Sequence, residues 1–72
     1  MYTGSVVIDS TVAPPVVVAN AARLHGYYAR PDAAACIVYV QAADEWQARG
    51  KAMSFARRFK PRGMKEAVKV VK

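Results

Sequence analysis

The sequence predicts an α+β fold: a small, mostly antiparallel sheet of three or four strands, one main C-terminal helix and a disordered basic tail. Three observations lead to this prediction. The chain has 72 residues, 54% of them hydrophobic, which is enough for one thin core. Short β-branched segments separated by turn residues fill its first half, and one amphipathic helical pattern follows. We therefore expect a single domain over residues 1–60 and a flexible tail over residues 61–72.

Two strands are predicted before residue 20. Residues 5–9 read SVVID, and β-branched side chains suit a pleated sheet better than a helix turn. Pro14 and Pro15 follow, and because they lack backbone donors they indicate a turn or a sheet edge. Residues 16–19, VVVA, are then predicted to form a second strand.

Residues 20–29 admit two interpretations. Asn20 could cap one helical turn that Gly26 ends in a left-handed conformation. Alternatively, residues 24–29 form a strand with a bulge at Gly26. We favour a short turn followed by a strand, in which Tyr27 and Tyr28 face opposite sides of the sheet. After a turn at Pro31, residues 35–41, ACIVYVQ, form the clearest strand, which should be central.

The most convincing helix covers residues 44–59. Asp44 and Gln47 have the spacing of a capping box, and basic residues near the end complement the helix dipole. At 100° per residue one face carries apolar side chains, including Phe55 and Phe59, with Trp46 at its margin, while the other face is polar and basic. The first face is therefore predicted to pack on the sheet.

The predicted tail begins at Pro61, which ends the helix together with Gly63. Beyond them, Met64, Val68 and Val71 recur at helical spacing. So short a segment does not hold a helix alone in water. We expect it to be disordered and to form a basic amphipathic helix on a partner.

Charge is distributed unevenly along the chain, whose net charge is +6. Residues 1–48 hold two basic and four acidic side chains, whereas residues 49–72 hold nine basic and one acidic. A basic end of this kind steers a protein toward an anionic surface without specifying which one. It could be a merely solvated face, a contact for nucleic acid, or a docking surface for a protein partner.

Catalysis finds little support in the sequence. Cys36 and His25 are the single cysteine and the single histidine, and Cys36 lies in the most apolar segment, where a buried hydrophobe is its usual role. One Cys and one His do not make a four-ligand zinc site, and the glycines are too scattered for a phosphate loop. We expect a non-enzymatic monomer without cofactor or metal, located in the cytoplasm and not in a membrane.

Partner binding is the remaining class of function. Tyr28 could stack on an unpaired base, anchor a protein interface, or simply cover the edge of the core. Arg30 lies two residues away, and the basic helix face and tail supply further cations. The predicted partner-binding residues are Tyr28, Arg30, Lys51, Arg57, Arg58, Lys60 and Arg62.

The whole pattern, from MYTGSVVIDSTVAPPVVV through HGYYARPDAAACIVYVQ to the basic end, resembles the small RNA-polymerase-binding transcription regulators of lytic Xanthomonas phages. The resemblance implies a phage protein that binds host RNA polymerase through contacts including the N-terminal region of the beta-prime subunit. It also implies inhibition of initiation by displacement of the sigma factor, and antitermination during elongation, with NusA as a candidate co-partner. It assigns no contact residue.

Two other functions stay open beside this one. The chain could be an independent DNA- or RNA-binding module, which its basic end and Tyr28 would suit. It could also be a small structural component of a larger assembly, with the tail as a tether.

Overall fold

The computed structural model of the chain describes residues 1–59 and 68–72. These residues form four strands and two helices, and the predicted α+β class is confirmed. In chain order the elements are β1 (Tyr2–Asp9), α1 (Pro15–Leu24), β2 (Tyr28–Pro31), β3 (Ala35–Ala42), α2 (Glu45–Arg57) and β4 (Val68–Val71).

The strands form one sheet in the order β2-β3-β1-β4, and each neighbouring pair is antiparallel. β1 and β2 therefore run parallel to each other with β3 inserted between them. This order of elements is the split βαβ, or ferredoxin-like, arrangement. Since this fold supports many unrelated functions, the topology alone assigns none.

The core lies between one face of the sheet and the two helices. Along β1 and β3 every second residue is buried, from Gly4 to Ile8 and from Cys36 to Ala42, and α1 and α2 both pack on that face. Burial of a Val or Ile side chain contributes about 1.5–3 kcal/mol relative to exposure. The fully buried strand residues are Val6, Ile8, Cys36, Val38 and Val40.

Residues 16–19 belong to α1, so the prediction of a strand there is wrong. Pro15 is the first helical residue, where a missing N–H costs nothing because first-turn donors have no partner within the helix. Val18, Ala19 and Ala22 share one side of the helix and are buried in the core. This burial outweighs the weak helical propensity of the valines.

The ambiguity at residues 20–29 resolves into a helix end followed by a strand. α1 continues to Leu24, and Gly26 has a φ of 78°, the left-handed conformation that ends many helices. The alternative with Gly26 at a bulge within a strand is therefore wrong, and β2 begins only at Tyr28. Tyr27 is half-buried against the core and Tyr28 is 68% exposed, which confirms that they face opposite sides.

The predicted strands at residues 5–9 and 35–41 are confirmed, and β1 and β3 are the two central strands. The helix predicted over residues 44–59 is confirmed as α2, which ends at Arg57. Asp44 is its N-cap, and a carboxylate oxygen of Asp44 accepts a hydrogen bond of 2.8 Å from the Gln47 amide. Phe55 is buried, but Trp46 is 81% exposed and is not part of the packed face.

The sequence predicts α2 as the C-terminal element, and this prediction is wrong because β4 follows it. Val68–Val71 pairs with β1, and Val68 lies opposite Val6 and is buried. The disordered tail is therefore not confirmed: these four residues complete the sheet by covering the free edge of β1. Residues 60–67, which include most of the predicted tail, lie outside the described residues.

We predict that Gly4→Ala destabilises the protein. A Cβ on Gly4 would lie 2.7 Å from the Ala48 carbonyl oxygen and 3.2 Å from Cγ2 of Val40, so α2 would have to move away from β1. The expected loss in the free energy of unfolding is about 1–3 kcal/mol.

Gly50→Ala is the matched control, because a Cβ on Gly50 meets nothing within 4 Å. It should stabilise α2 by about 1 kcal/mol. Equal effects of both changes in urea unfolding would contradict this packing.

We also predict that Val68→Ala destabilises the protein by about 2 kcal/mol, because it removes two buried methyl groups from the core. Val71→Ala serves as the control in the same strand, since Val71 is 63% exposed. Its effect on the thermal unfolding midpoint should be small. If Val68→Ala leaves that midpoint unchanged, β4 does not contribute to the folded core.

Candidate binding surface

The sheet has one face that the helices leave uncovered, and we call it the open face. Side chains alternate across a strand, so the residues between the buried ones point to the side opposite the helices. All of them are half-buried or exposed. Its main members are Thr3, Ser5, Val7, Tyr28, Arg30, Ile37, Tyr39, Gln41, Lys69 and Val71.

One row across the open face joins all four strands. Tyr28 of β2 lies opposite Tyr39 of β3, Tyr39 lies opposite Ser5 of β1, and Ser5 lies opposite Lys69 of β4. The centroids of the two tyrosine rings are 5.7 Å apart, and the ring planes are inclined by 40°. The row therefore combines a pair of aromatic rings, a hydroxyl group and a lysine.

Two further rows flank the aromatic one. On one side Arg30, Ile37 and Val7 lie opposite one another in turn. On the other side Gln41 and Val71 lie on either side of Thr3. The open face thus has apolar side chains interspersed with hydrogen-bonding groups, and its two cations lie on the two edge strands.

A groove begins beside the tyrosines and leads off the open face. It has a volume of about 680 Å³. On the sheet side the groove is lined by Tyr28, Tyr39, Thr3 and Gln41. On the other side it is lined by the loop that follows α1. Lys51 reaches this groove from α2, and its Nζ donates a hydrogen bond of 3.1 Å to the Gln41 carbonyl oxygen. The groove therefore connects the tyrosine pair with a cation on the helical layer.

His25 lies in an aromatic cluster at the end of α1. Its ring stacks on Tyr27, with centroids 5.4 Å apart and planes inclined by 14°, and meets the edge of Phe55 at 5.8 Å. The guanidinium of Arg58 donates to Nε2 of His25. These contacts tie the loop that lines the groove to the C-terminal end of α2.

The structure does not gather the predicted partner-binding residues on one surface. Tyr28 and Arg30 are exposed on the open face, whereas Lys51 and Arg57 are exposed on α2 and Arg58 at its C-cap, in the helical layer. Lys51 and Tyr28 meet at the groove. The remaining two predicted residues, Lys60 and Arg62, lie outside the described part of the chain.

Sequence reasoning missed three residues of the open face that now stand out: Ser5, Tyr39 and Lys69. A two-residue period marks Tyr39 as facing away from Val38 and Val40, and this signal was available in the sequence. Lys69 was assigned to a tail. Its place in the row depends on pairing between β1 and β4, which a local pattern does not show.

Cys36 is completely buried on the helix-facing side of β3. This burial raises the pKa of its thiol, and the nearby charge of Arg23 and a backbone hydrogen bond at Arg30 oppose the shift. The prediction that Cys36 acts as a buried hydrophobe is confirmed. Within residues 1–59 and 68–72, no three His, Cys, Asp or Glu side chains are grouped to hold a metal ion.

Comparison of the chain with family models, with curated proteins and with solved structures finds no match. Neither described helix is both long enough and apolar enough to cross a membrane. The functional assignment therefore depends on the surface itself and on the resemblance noted in the sequence.

We predict that Cys36 does not react with a disulfide reagent such as DTNB at pH 8 while the protein is folded. The thiolate is the reactive species, and burial both raises the thiol pKa and blocks access. Addition of denaturant should release one thiol per chain. The control is Ala34→Cys in a Cys36→Ala background, since Ala34 is exposed in the turn before β3. A fast reaction of native Cys36 would show that β3 is not covered by the helices.

Proposed function

We propose that this chain is a phage-encoded, non-enzymatic regulator that binds bacterial RNA polymerase in the host cytoplasm. It inhibits initiation by displacing the sigma factor and promotes antitermination. The resemblance of the sequence to such regulators supports the proposal. The structural feature that supports it best is the surface of α2, which presents Lys51, Arg57 and Arg58 to solvent while its other side is buried.

The charge of α2 suits docking on an acidic protein surface. Cations exposed on one side of a rigid helix accelerate association with an acidic partner and orient it, and their effect weakens as salt rises. Because α2 is held through Phe55, Ala52 and Ala48, its exposed side does not need to order on binding. By resemblance, the partner surface is the N-terminal region of the beta-prime subunit, with NusA as a candidate co-partner.

Displacement of sigma then follows from competition. If the regulator and sigma cannot both keep their contacts with polymerase, occupancy by one lowers the apparent affinity of the other. At a free concentration 100 times its dissociation constant, the regulator would weaken sigma binding about 100-fold, or by about 2.7 kcal/mol. No chemical step is required.

The proposal predicts that the chain, immobilised as bait, retains RNA polymerase from a host lysate and binds purified polymerase directly. In a promoter-dependent assay it should reduce initiation, and added sigma should restore it. If polymerase is absent from the bait and no direct binding is measured, the proposal is wrong.

The charged surface can be tested by the change Arg57→Glu, which leaves Lys51 of the groove intact. At low salt it should slow association with polymerase about tenfold, since electrostatic steering raises association rates by at least that much. Arg23→Glu is the matched control: it reverses an exposed charge on the other helix. Both changes lower the net charge by two, so equal effects of the two variants would show that only net charge matters, and would exclude α2 as the docking surface.

A further inference from the structure

The open face carries an arrangement that polymerase binding through α2 leaves unused. Tyr28 is 68% exposed, although an aromatic side chain is usually among those a small domain buries. Its ring lies beside Tyr39 on the neighbouring strand. Two tyrosines side by side on an uncovered sheet, with ring planes inclined by 40°, form an aromatic platform whose rings can each stack on a planar group.

Cations flank this platform on both sides. Lys69 ends the row that contains the tyrosines, and Arg30 begins the adjacent row. Strands are about 4.8 Å apart, so the row from Tyr28 to Lys69 spans about 14 Å. Ser5 adds a hydroxyl group between the aromatic and the basic ends, and Thr3 adds another in the neighbouring row. Stacking planes, hydrogen-bonding groups and cations thus lie within the width of a few nucleotides.

Acidic charge is nearly absent from the described part of the open face. Asp9, at the end of β1, is the exception, and its carboxylate accepts hydrogen bonds from the Thr11 amide and hydroxyl. These bonds hold the pKa of Asp9 below its usual value, so it is ionised at neutral pH. It lies opposite Ala35. Along β1 it is two residues from the row of Arg30 and four residues from the tyrosine row. The platform itself is therefore positively charged.

We propose that the open face binds single-stranded nucleic acid, with bases stacked on Tyr28 and Tyr39 and phosphates neutralised by Arg30 and Lys69. Four-stranded sheets that display aromatic rings bind two or three unpaired bases in this way. A duplex presents its bases edge-on and cannot stack on the rings. This activity goes beyond the proposed polymerase binding, and its stacking platform lies on the layer opposite α2.

The groove extends the platform toward the helical layer. Its lining includes Tyr28, Tyr39, Gln41 and Lys51. A strand whose bases rest on the tyrosines can therefore continue along the groove, with Lys51 placed to meet a further phosphate.

A protein occupant fits these observations less well. Tyr and Arg are common at protein interfaces, but Lys is depleted there, and Lys69 lies in the row of the two tyrosines. Addition of a strand from a partner is also disfavoured, because β2 and β4 are only four residues long and Pro31 ends β2. A second copy of this chain would bring the same positive charges face to face.

The experiment measures fluorescence anisotropy of labelled oligouridylate and oligothymidylate 12-mers, and of a 12-base-pair duplex, titrated with the full chain. Both single strands should bind more tightly than the duplex. A tighter complex with oligouridylate identifies RNA as the source of the ligand, and a tighter complex with oligothymidylate identifies DNA. If no oligonucleotide binds, or if the duplex binds as tightly as the single strands, the proposal is overturned.

Variants of the platform separate stacking from charge. Tyr28→Leu and Tyr39→Leu should each weaken single-strand binding by about 5- to 100-fold, whereas Tyr28→Phe and Tyr39→Phe keep the ring and should retain the affinity. Trp46→Leu is the matched control, since it removes an exposed aromatic ring from α2. Arg30→Gln and Lys69→Gln should each reduce the dependence of log K on log salt by about 0.7.

Two outcomes would refute the assignment to this face. The first is that Tyr28→Leu and Tyr39→Leu bind as the native chain does while their thermal midpoints are unchanged. The second is that sedimentation shows the native chain to be a dimer, and that these changes dissociate the dimer but leave oligonucleotide binding unchanged. Failure of the polymerase proposal can be distinguished from failure of this one. It would leave oligonucleotide binding unchanged, and it is tested by the effect of Arg57→Glu, on the opposite layer, on association with polymerase.

Discussion

The structure depends on the packing of two helices against the same face of one small sheet. β1 and β3 are the centre of that sheet, and their inward side chains, among them Val6, Ile8 and Val38, are completely buried. α2 approaches β1 so closely that only a glycine fits at position 4. A chain of this length buries a limited fraction of its surface, so both helices are needed on one side to make a core. The opposite side is left uncovered.

This one-sided core determines where the chain can meet a partner. The uncovered side of the sheet presents a pair of tyrosines with a cation on each edge strand, and the outward side of α2 presents a second group of cations. The two surfaces lie on opposite layers and meet at the groove between Tyr28 and Lys51. Under the two proposals, polymerase is bound through one layer and unpaired nucleic acid through the other.

The sequence was sufficient for features that local chemistry determines. The Asp44 cap, the apolar side of α2 and the apolar run of β3 are each encoded within a few residues. The opposite orientations of Tyr27 and Tyr28 follow from the two-residue period of a strand. These features gave the correct fold class, and they correctly indicated that the two tyrosines face opposite sides of the sheet.

Features that depend on tertiary packing were not predictable in this way. The valines of residues 16–18 favour a strand by propensity, and only burial of Val18 and Ala19 against the sheet explains their helix. The segment VKVVK fits a helical period and a strand period equally well, and pairing with distant β1 decides between them. The same long-range pairing brings Lys69 into the tyrosine row, so the binding surface could be predicted only in part.

The central claim is that the open face of the sheet is a site for unpaired nucleotides, and nuclear magnetic resonance tests it most directly. Backbone amide shifts of the labelled chain are followed as a single-stranded oligonucleotide is added. The account predicts that the largest changes lie at Ser5, Tyr28, Tyr39 and Lys69, along one row of the sheet. Changes confined to the exposed side of α2, with this row unaffected, would contradict it.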